Sequence, residues 1–296
     1  MGNLATTVQQ GFAILKSKLE ITGLQHTTVS ERQQAVRAAV ARRLTVTDSF
    51  LTGSYARKTM IAPLNEADID VFVVLDSGYF HQYSNRGDGQ AALLDQVRSV
   101  LRETYPKTPD ISRNGQAVTI RFTDFLVDVV PAFERQGGGY IIPNSILKSW
   151  TSTDPKAHVQ LVSEANQAHN GDLVPLIKMV KAWNKTIDRF FHSFHLEVLA
   201  LDIFKGVYIT DYPSGTRFFF DKVRALIPKK NPDPAGYSED IGAYINTTEK
   251  AKAAVSKFDT AFQIAVEAEA ANRYGNIREA FAGWRRVFGD YFPAYG

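Results

Sequence analysis

Apolar residues recur at helical spacing through residues 3–20, where Phe12, Leu15 and Leu19 share one face. A second helix is predicted from near Ser30, because Ser30 and Gln33 match a capping box, and Ala35, Ala38, Ala39 and Leu44 extend it. The pattern then changes period. TVTDSFLTGS reads as a strand entering a turn at Gly53 and Ser54, and DIDVFVVL as a central strand, apolar on both faces beyond its acids. SGYFHQYSNRGDG reads as a polar loop, followed by a helix from about Gln90 to Tyr105. AVTIRF from Ala117 and FLVDVVPAF from Phe125 carry the β-branched bias of sheet, and QGGGYIIPN is a glycine-rich connection with a short strand at most.

After Trp150 the chain turns helical. Asp154-Pro155 places a cap and a first-turn proline, and helices are predicted over 155–168, 173–190, 194–208 and 216–227, with two more after Thr247. IPKKNPDPAGYS is the one proline-rich break. No internal repeat is present. The expectation is an α+β protein, with a sheet-bearing domain over residues 1–150, a helical lobe over 151–296 and a site in the cleft.

Composition narrows the class. At 296 residues, 44% hydrophobic and 22% charged, the chain is ordinary globular material with enough length for two cores. No apolar run approaches the roughly 18 residues of a membrane span, and the first twenty residues lack the pattern of a signal peptide. Cysteine is absent, which excludes disulfides, thiol nucleophiles and cysteine-based zinc sites. A cytoplasmic location is expected. The net charge of +3 is mildly basic and suits polyphosphate ligands, but no dense Lys/Arg tract marks a long nucleic-acid track.

The candidate chemistry lies at the strand mouth. Asp68 and Asp70 are two apart, so on a strand both side chains project from the same face. Two like charges held together repel, and a divalent cation compensates them; hard oxygen donors suit Mg²⁺ or Mn²⁺. Asp128, a lone acid within the apolar run LVDVVP, supplies a third carboxylate. On adjacent strands the three suit two ions roughly 3.5–4 Å apart, the arrangement of two-metal phosphoryl transfer. Asp-x-Asp alone is a common chance pattern, and Asp68 equally fits a turn; an acid in the middle of LVDVVP is harder to place without chemistry. Gly53 permits close backbone approach, and the turn amides and Ser54 hydroxyl suit phosphate oxygens. Lys178 and Lys181, three apart on a helix, equally fit a solvated helix edge.

Gly-Ser, a spacer, Asp-x-Asp at a strand start and a later lone strand Asp resemble the signature of polymerase-β-like nucleotidyltransferases. PLIKMVKAWN, SFHLEVL, VDVVPAF, SWTSTDPKAHVQLV and GWRRVFGDYF narrow the resemblance to the CD-NTases, bacterial relatives of cyclic GMP-AMP synthase and oligoadenylate synthetase. The likeness runs from about residue 50 to the C-terminus. It implies a polymerase-β-like core sheet with a helical second lobe, and a reaction joining ribonucleoside triphosphates into a cyclic di- or trinucleotide that activates an antiphage effector. A regulatory protein encoded nearby is a further implied partner. It also implies Asp68, Asp70 and Asp128 as catalytic metal ligands, Gly53 and Ser54 at the donor phosphates, Lys181 on the triphosphate with Ser193 beside it, and Phe194 against a base. The competing readings are a linear oligoadenylate synthetase, an RNA-tailing nucleotidyltransferase, a protein-nucleotidylating toxin component and an inactive nucleotide-binding module.

Overall fold

The computed structural model describes residues 5–238 and 240–296; the first two residues of the predicted N-terminal helix lie outside them. In chain order the helices and strands are α1 (Val8–Leu19), α2 (Gly23–Ala41), β1 (Val46–Leu51), the single turn α3 (Gly53–Ala56), β2 (Asp68–Leu75), α4 (Ser77–Ser84) and α5 (Gly89–Thr104). Then follow β3 (Ile111–Asn114), β4 (Ala117–Arg121), β5 (Leu126–Glu134), β6 (Tyr140–Asn144), β7 (Ser149–Thr153) and α6 (Pro155–Ala168). The chain closes with α7 (Leu173–Thr186), α8 (Ser193–Phe204), α9 (Tyr212–Leu226), α10 (Thr248–Arg273) and α11 (Ile277–Phe288).

Two compact units result: Ile21–Gln160, and Met1–Glu20 together with Leu161–Gly296. The division therefore differs from the expected one at residue 150. The boundary passes through α6, and α1 joins the helical unit. The reason is aromatic packing. The Phe12 ring lies edge-on to Trp284 at 4.8 Å, Phe292 at 5.3 Å and Phe288 at 5.8 Å.

The sheet of the α/β unit runs β1-β2-β5-β4-β3, with β6 joined to β5 and β7 to β6. β2 and β5 are parallel, while the other neighbours are antiparallel. Strand alternation sorts the side chains. Ile69, Val71 and Val73 of β2 and Val127 and Val129 of β5 pack with Val36 and Val40 of α2 and Leu93, Val97 and Leu101 of α5. Phe72, Val74, Val130 and Ala132 point to the opposite face, where they meet Phe50, Tyr140 and Ile142. Asp68, Asp70 and Asp128 share the parity of this second face.

Several elements differ from expectation. α2 begins at Gly23, not near Ser30, because Thr22 and Gln25 form the real capping box: Gln25 N–H donates to Thr22 Oγ1 and Gln25 Oε1 accepts from Thr22 N–H. The supposed polar loop after β2 is helix α4, capped by Asp76 and anchored by buried Tyr83 and by Phe80 against Phe133 and Trp150. α9 starts at Tyr212 under an Asp211 cap, and β3 and β7 are additional strands. In the helical unit, α7 is buried from Leu173 to Asn184, and Asn184 clasps Phe191 through both its side-chain oxygen and nitrogen.

Candidate active site

β2 and β5 pair in parallel register, with Asp70 opposite Asp128 and Asp68 opposite Leu126. Asp70 and Asp128 are thus lateral neighbours on one face, and Asp68 stands one pleat before them on the same face. Exposure is graded: Asp68 is exposed at the strand mouth, while Asp70 and Asp128 are half-buried. Thr119 of β4, opposite Asp128 on its other side, donates from Oγ1 to Asp128 Oδ1 at 2.5 Å and fixes the carboxylate's rotation. Burial pushes the Asp128 carboxyl above the usual carboxylate range; the Thr119 bond opposes that rise and the nearby Asp68 charge adds to it.

Gly53 sits against the other flank of Asp70. Its φ is +65°, and a Cβ at this position would lie 1.7 Å from Asp70 Oδ2. Only glycine permits both the left-handed backbone and this approach. Ser54 follows in α3, half-buried, and its carbonyl accepts from the Thr59 and Met60 amides at 2.9 and 3.0 Å, while the Thr52 amide donates to the Asp70 carbonyl at 2.9 Å and ties the turn to β2. A pocket of about 350 Å³ opens on the β4 side and is lined by both Asp70 and Asp128.

The three carboxylates offer hard oxygen donors on one rigid face, which fits a divalent cation. Among the described residues no three acidic or histidine side chains are gathered into a finished metal cage. The fit rests on the shared face, the lateral pairing of Asp70 with Asp128, and the charge of Asp68 felt at Asp128.

Lys181, Ser193 and Phe194 belong to the helical unit. Lys181 is 6% exposed and donates from Nζ to Glu197 Oε1 at 3.1 Å, while Glu197 is wholly buried. Lys178 is 5% exposed and pairs with Glu20 Oε2 at 2.6 Å. Neither lysine is the solvated helix edge that their spacing alone allowed. Ser193 is exposed at the first position of α8, and Phe194 beside it is half-buried. His192 and His195 are packing residues: His192 stacks on Tyr244 at 3.7 Å, and His195 is buried. Thr119 is the residue that sequence reasoning missed. Its only signal was a hydroxyl between Val118 and Ile120, on the same face as the acids.

Residues 6–166 match the model of the Second Messenger Oligonucleotide or Dinucleotide Synthetase domain. The chain belongs to this family. It is a nucleotidyltransferase that makes an oligonucleotide or dinucleotide second messenger. The match begins further forward than the expected likeness and ends within α6, but relatives extend over the rest. The cyclic AMP-AMP-AMP synthase of Acinetobacter sp. (strain ATCC 27244 / 9458) is 28% identical over 97% of this chain and 86% of its own. Among solved structures, CdnC of Escherichia coli MS115-1 with ATP superposes with a TM-score of 0.76 at 18% identity, covering 97% of this chain and 99% of that one. The same CdnC in complex with HORMA-deltaN gives 0.72 at 17% identity, covering 97% and 98%. The synthetase thus has the polymerase-β-like nucleotidyltransferase fold, and the CD-NTase resemblance stands. The family is generally dependent on divalent metal. No helix among the described residues is long and apolar enough to cross a membrane.

Proposed function

We propose that the synthetase joins ribonucleoside triphosphates into a cyclic di- or trinucleotide at Asp68, Asp70 and Asp128. The lateral pairing of Asp70 with Asp128 on parallel strands, with Gly53 pressed against Asp70, carries this reading. The three acids would hold two ions of Mg²⁺ or Mn²⁺, which would neutralise triphosphate charge and acidify the attacking hydroxyl. The rest is the work of the chain. The Gly53-Ser54 turn receives the donor phosphates. Lys181, with Ser193, contacts the triphosphate, held as a charged donor by Glu197, and Phe194 lies against a base.

A ribose hydroxyl oxygen of the acceptor bonds to the donor α-phosphorus as the bond from that phosphorus to the α,β-bridging oxygen breaks. Pyrophosphate leaves with that electron pair, and the hydroxyl proton passes to Asp128, whose carboxylate Thr119 holds in place. A second attack of the same kind closes the ring. CdnC is known in complex with HORMA-deltaN, which supports a regulatory protein partner here, encoded nearby and acting in the cytoplasm upstream of a nucleotide-activated effector.

The test is synthesis itself. The protein is incubated with four ribonucleoside triphosphates and Mg²⁺ or Mn²⁺, treated with phosphatase, and its products are weighed by mass spectrometry. A phosphatase-resistant mass of a cyclic oligonucleotide, absent with Asp68→Asn/Asp70→Asn, is the expected result. A linear ladder, or full activity in the double variant, overturns it.

A further inference from the structure

The turn between β6 and β7 holds two large aliphatic side chains out of the fold. Ile146 is 75% exposed and Leu147 is 72% exposed, and both line the pocket that Asp70 and Asp128 share. Single exposed aliphatics are ordinary; two adjacent ones at the rim of a carboxylate pocket are not.

The turn that carries them is built rather than loose. Asn144 Oδ1 accepts from the Ile146 and Leu147 amides at 3.1 and 2.9 Å. The Ser145 amide and hydroxyl both donate to the Gly115 carbonyl, each at 2.9 Å, tying this turn to the β3–β4 turn. Gly115 has φ +61°, and Ile146 Cδ1 lies in van der Waals reach of the Cβ position it lacks, at 3.4 Å. Asn114 and Gln116, on either side of Gly115, also line the pocket, and each carries a side-chain amide.

Position assigns the occupant. Gly53 and Ser54 reach Asp70 from the β1 side, where the donor phosphates are received. The pocket lies on the other side, toward β4 and β5, and holds Asp128 but neither Gly53 nor Ser54. A second reactant whose hydroxyl meets Asp128 has its base on this side. About 350 Å³ falls in the range of small-molecule pockets and suits one nucleoside. Aliphatic walls cover a flat ring, and amides donate to and accept from base edges.

We propose that the Ser145–Lys148 turn is a specificity element: Ile146 and Leu147 form the apolar wall, and Asn114 and Gln116 the polar edge, that seat the base of the attacking nucleotide. This rests on the reaction assigned above, but its first test does not need turnover. With Ile and Leu methyls isotopically labelled, the full chain is titrated with each ribonucleoside 5′-monophosphate at millimolar concentration and followed by NMR. The Ile146 and Leu147 methyls move upfield in the ring current of a bound base. Followed from the nucleotide's own resonances, Ile146→Ser/Leu147→Ser weakens that binding roughly tenfold without lowering the melting temperature.

In a pyrophosphate-release assay a 2′,3′-dideoxynucleoside triphosphate in excess acts as donor, since it has no hydroxyl to attack with. The double variant then raises KM for the ribonucleotide acceptor roughly tenfold, with kcat and donor KM within about twofold. Asn114→Ala/Gln116→Ala changes the ranking of bases as acceptors. Methyls that do not move with any nucleotide overturn the proposal even if product forms, as does a donor KM rising in step with the acceptor's. Moving methyls with no product support this subsite and count against the reaction instead.

Discussion

At the scale of single residues the proposed site sets stability against chemistry. Asp128 is held at the lateral position of Asp70, partly buried, and its carboxyl is pushed upward by burial. A carboxyl with a raised folded-state pKa favours the fold most below its unfolded value, and that benefit is lost as pH rises through the folded value. At neutral pH the charged form is therefore a cost. Asp128→Asn removes it while Thr119 still has an oxygen to donate to. The variant is expected to melt at or above the wild type at neutral pH, with the difference shrinking toward acid, yet to lose about a thousandfold in synthesis. Calorimetry beside a product assay checks both. Gly53→Ala is expected to do the reverse of a mild change. A Cβ would meet Asp70 Oδ2 at 1.7 Å from a backbone at φ +65°, so stability falls by about 1–3 kcal/mol along with activity, read by urea unfolding. The acids and the glycine were legible in the sequence because each breaks its local pattern: charge in an apolar run, Gly-Ser after a strand. Thr119 was not, because threonine is also an ordinary β-former.

At the scale of elements the helices of the second half were legible to within a few residues, because caps such as Asp154-Pro155 announce them. α4 and the true start of α2 were not. Both depend on caps, at Asp76 and Thr22, whose neighbours look polar enough for a loop. The segment after α9 shows what sequence periodicity leaves out. Tyr244 comes from that segment to the start of α8, where its hydroxyl accepts from the His192 amide and shares a hydrogen bond with His195 Nδ1, each at 3.1 Å. Gly242 leaves room for the His195 ring, whose Cε1 would lie 2.9 Å from a Cβ. His195 is 1% exposed, and burial lowers its pKa to about 4, against a raising influence from Asp240 and a further lowering one from His192. A depressed histidine contributes stability above its unfolded value of 6.5 that is lost as pH falls toward 4. The helical unit is expected to lose about 3 kcal/mol across that window, and His195→Gln to lose much less. Urea unfolding at a series of pH values, with hydrogen exchange to locate the change, decides it.

At the scale of the whole molecule the sequence announced a sheet-bearing part and a helical part but misassigned α1. An amphipathic helix declares which face it buries, not against what, and Phe12 finds Trp284, Phe288 and Phe292 nearly the full chain length away. Phe12→Ala is expected to cost about 3–5 kcal/mol. Hydrogen exchange should show the protection lost from α1 and α11 while β2 and β5 keep theirs; loss shared equally by the sheet would contradict the assignment of α1. The parallel register of β2 and β5 has a consequence for how damage to this enzyme reads out. A slip of one residue turns a strand's entire set of side chains over, carrying the acids to the helix-covered side and the valines out. Intermediate registers do not exist, so the face that carries Asp68, Asp70 and Asp128 is either assembled or absent in any one molecule. Variants that weaken the sheet should therefore lower the count of competent enzymes in a preparation while each survivor turns over at the undamaged rate, and an active-site titration will separate them from variants that slow every molecule alike.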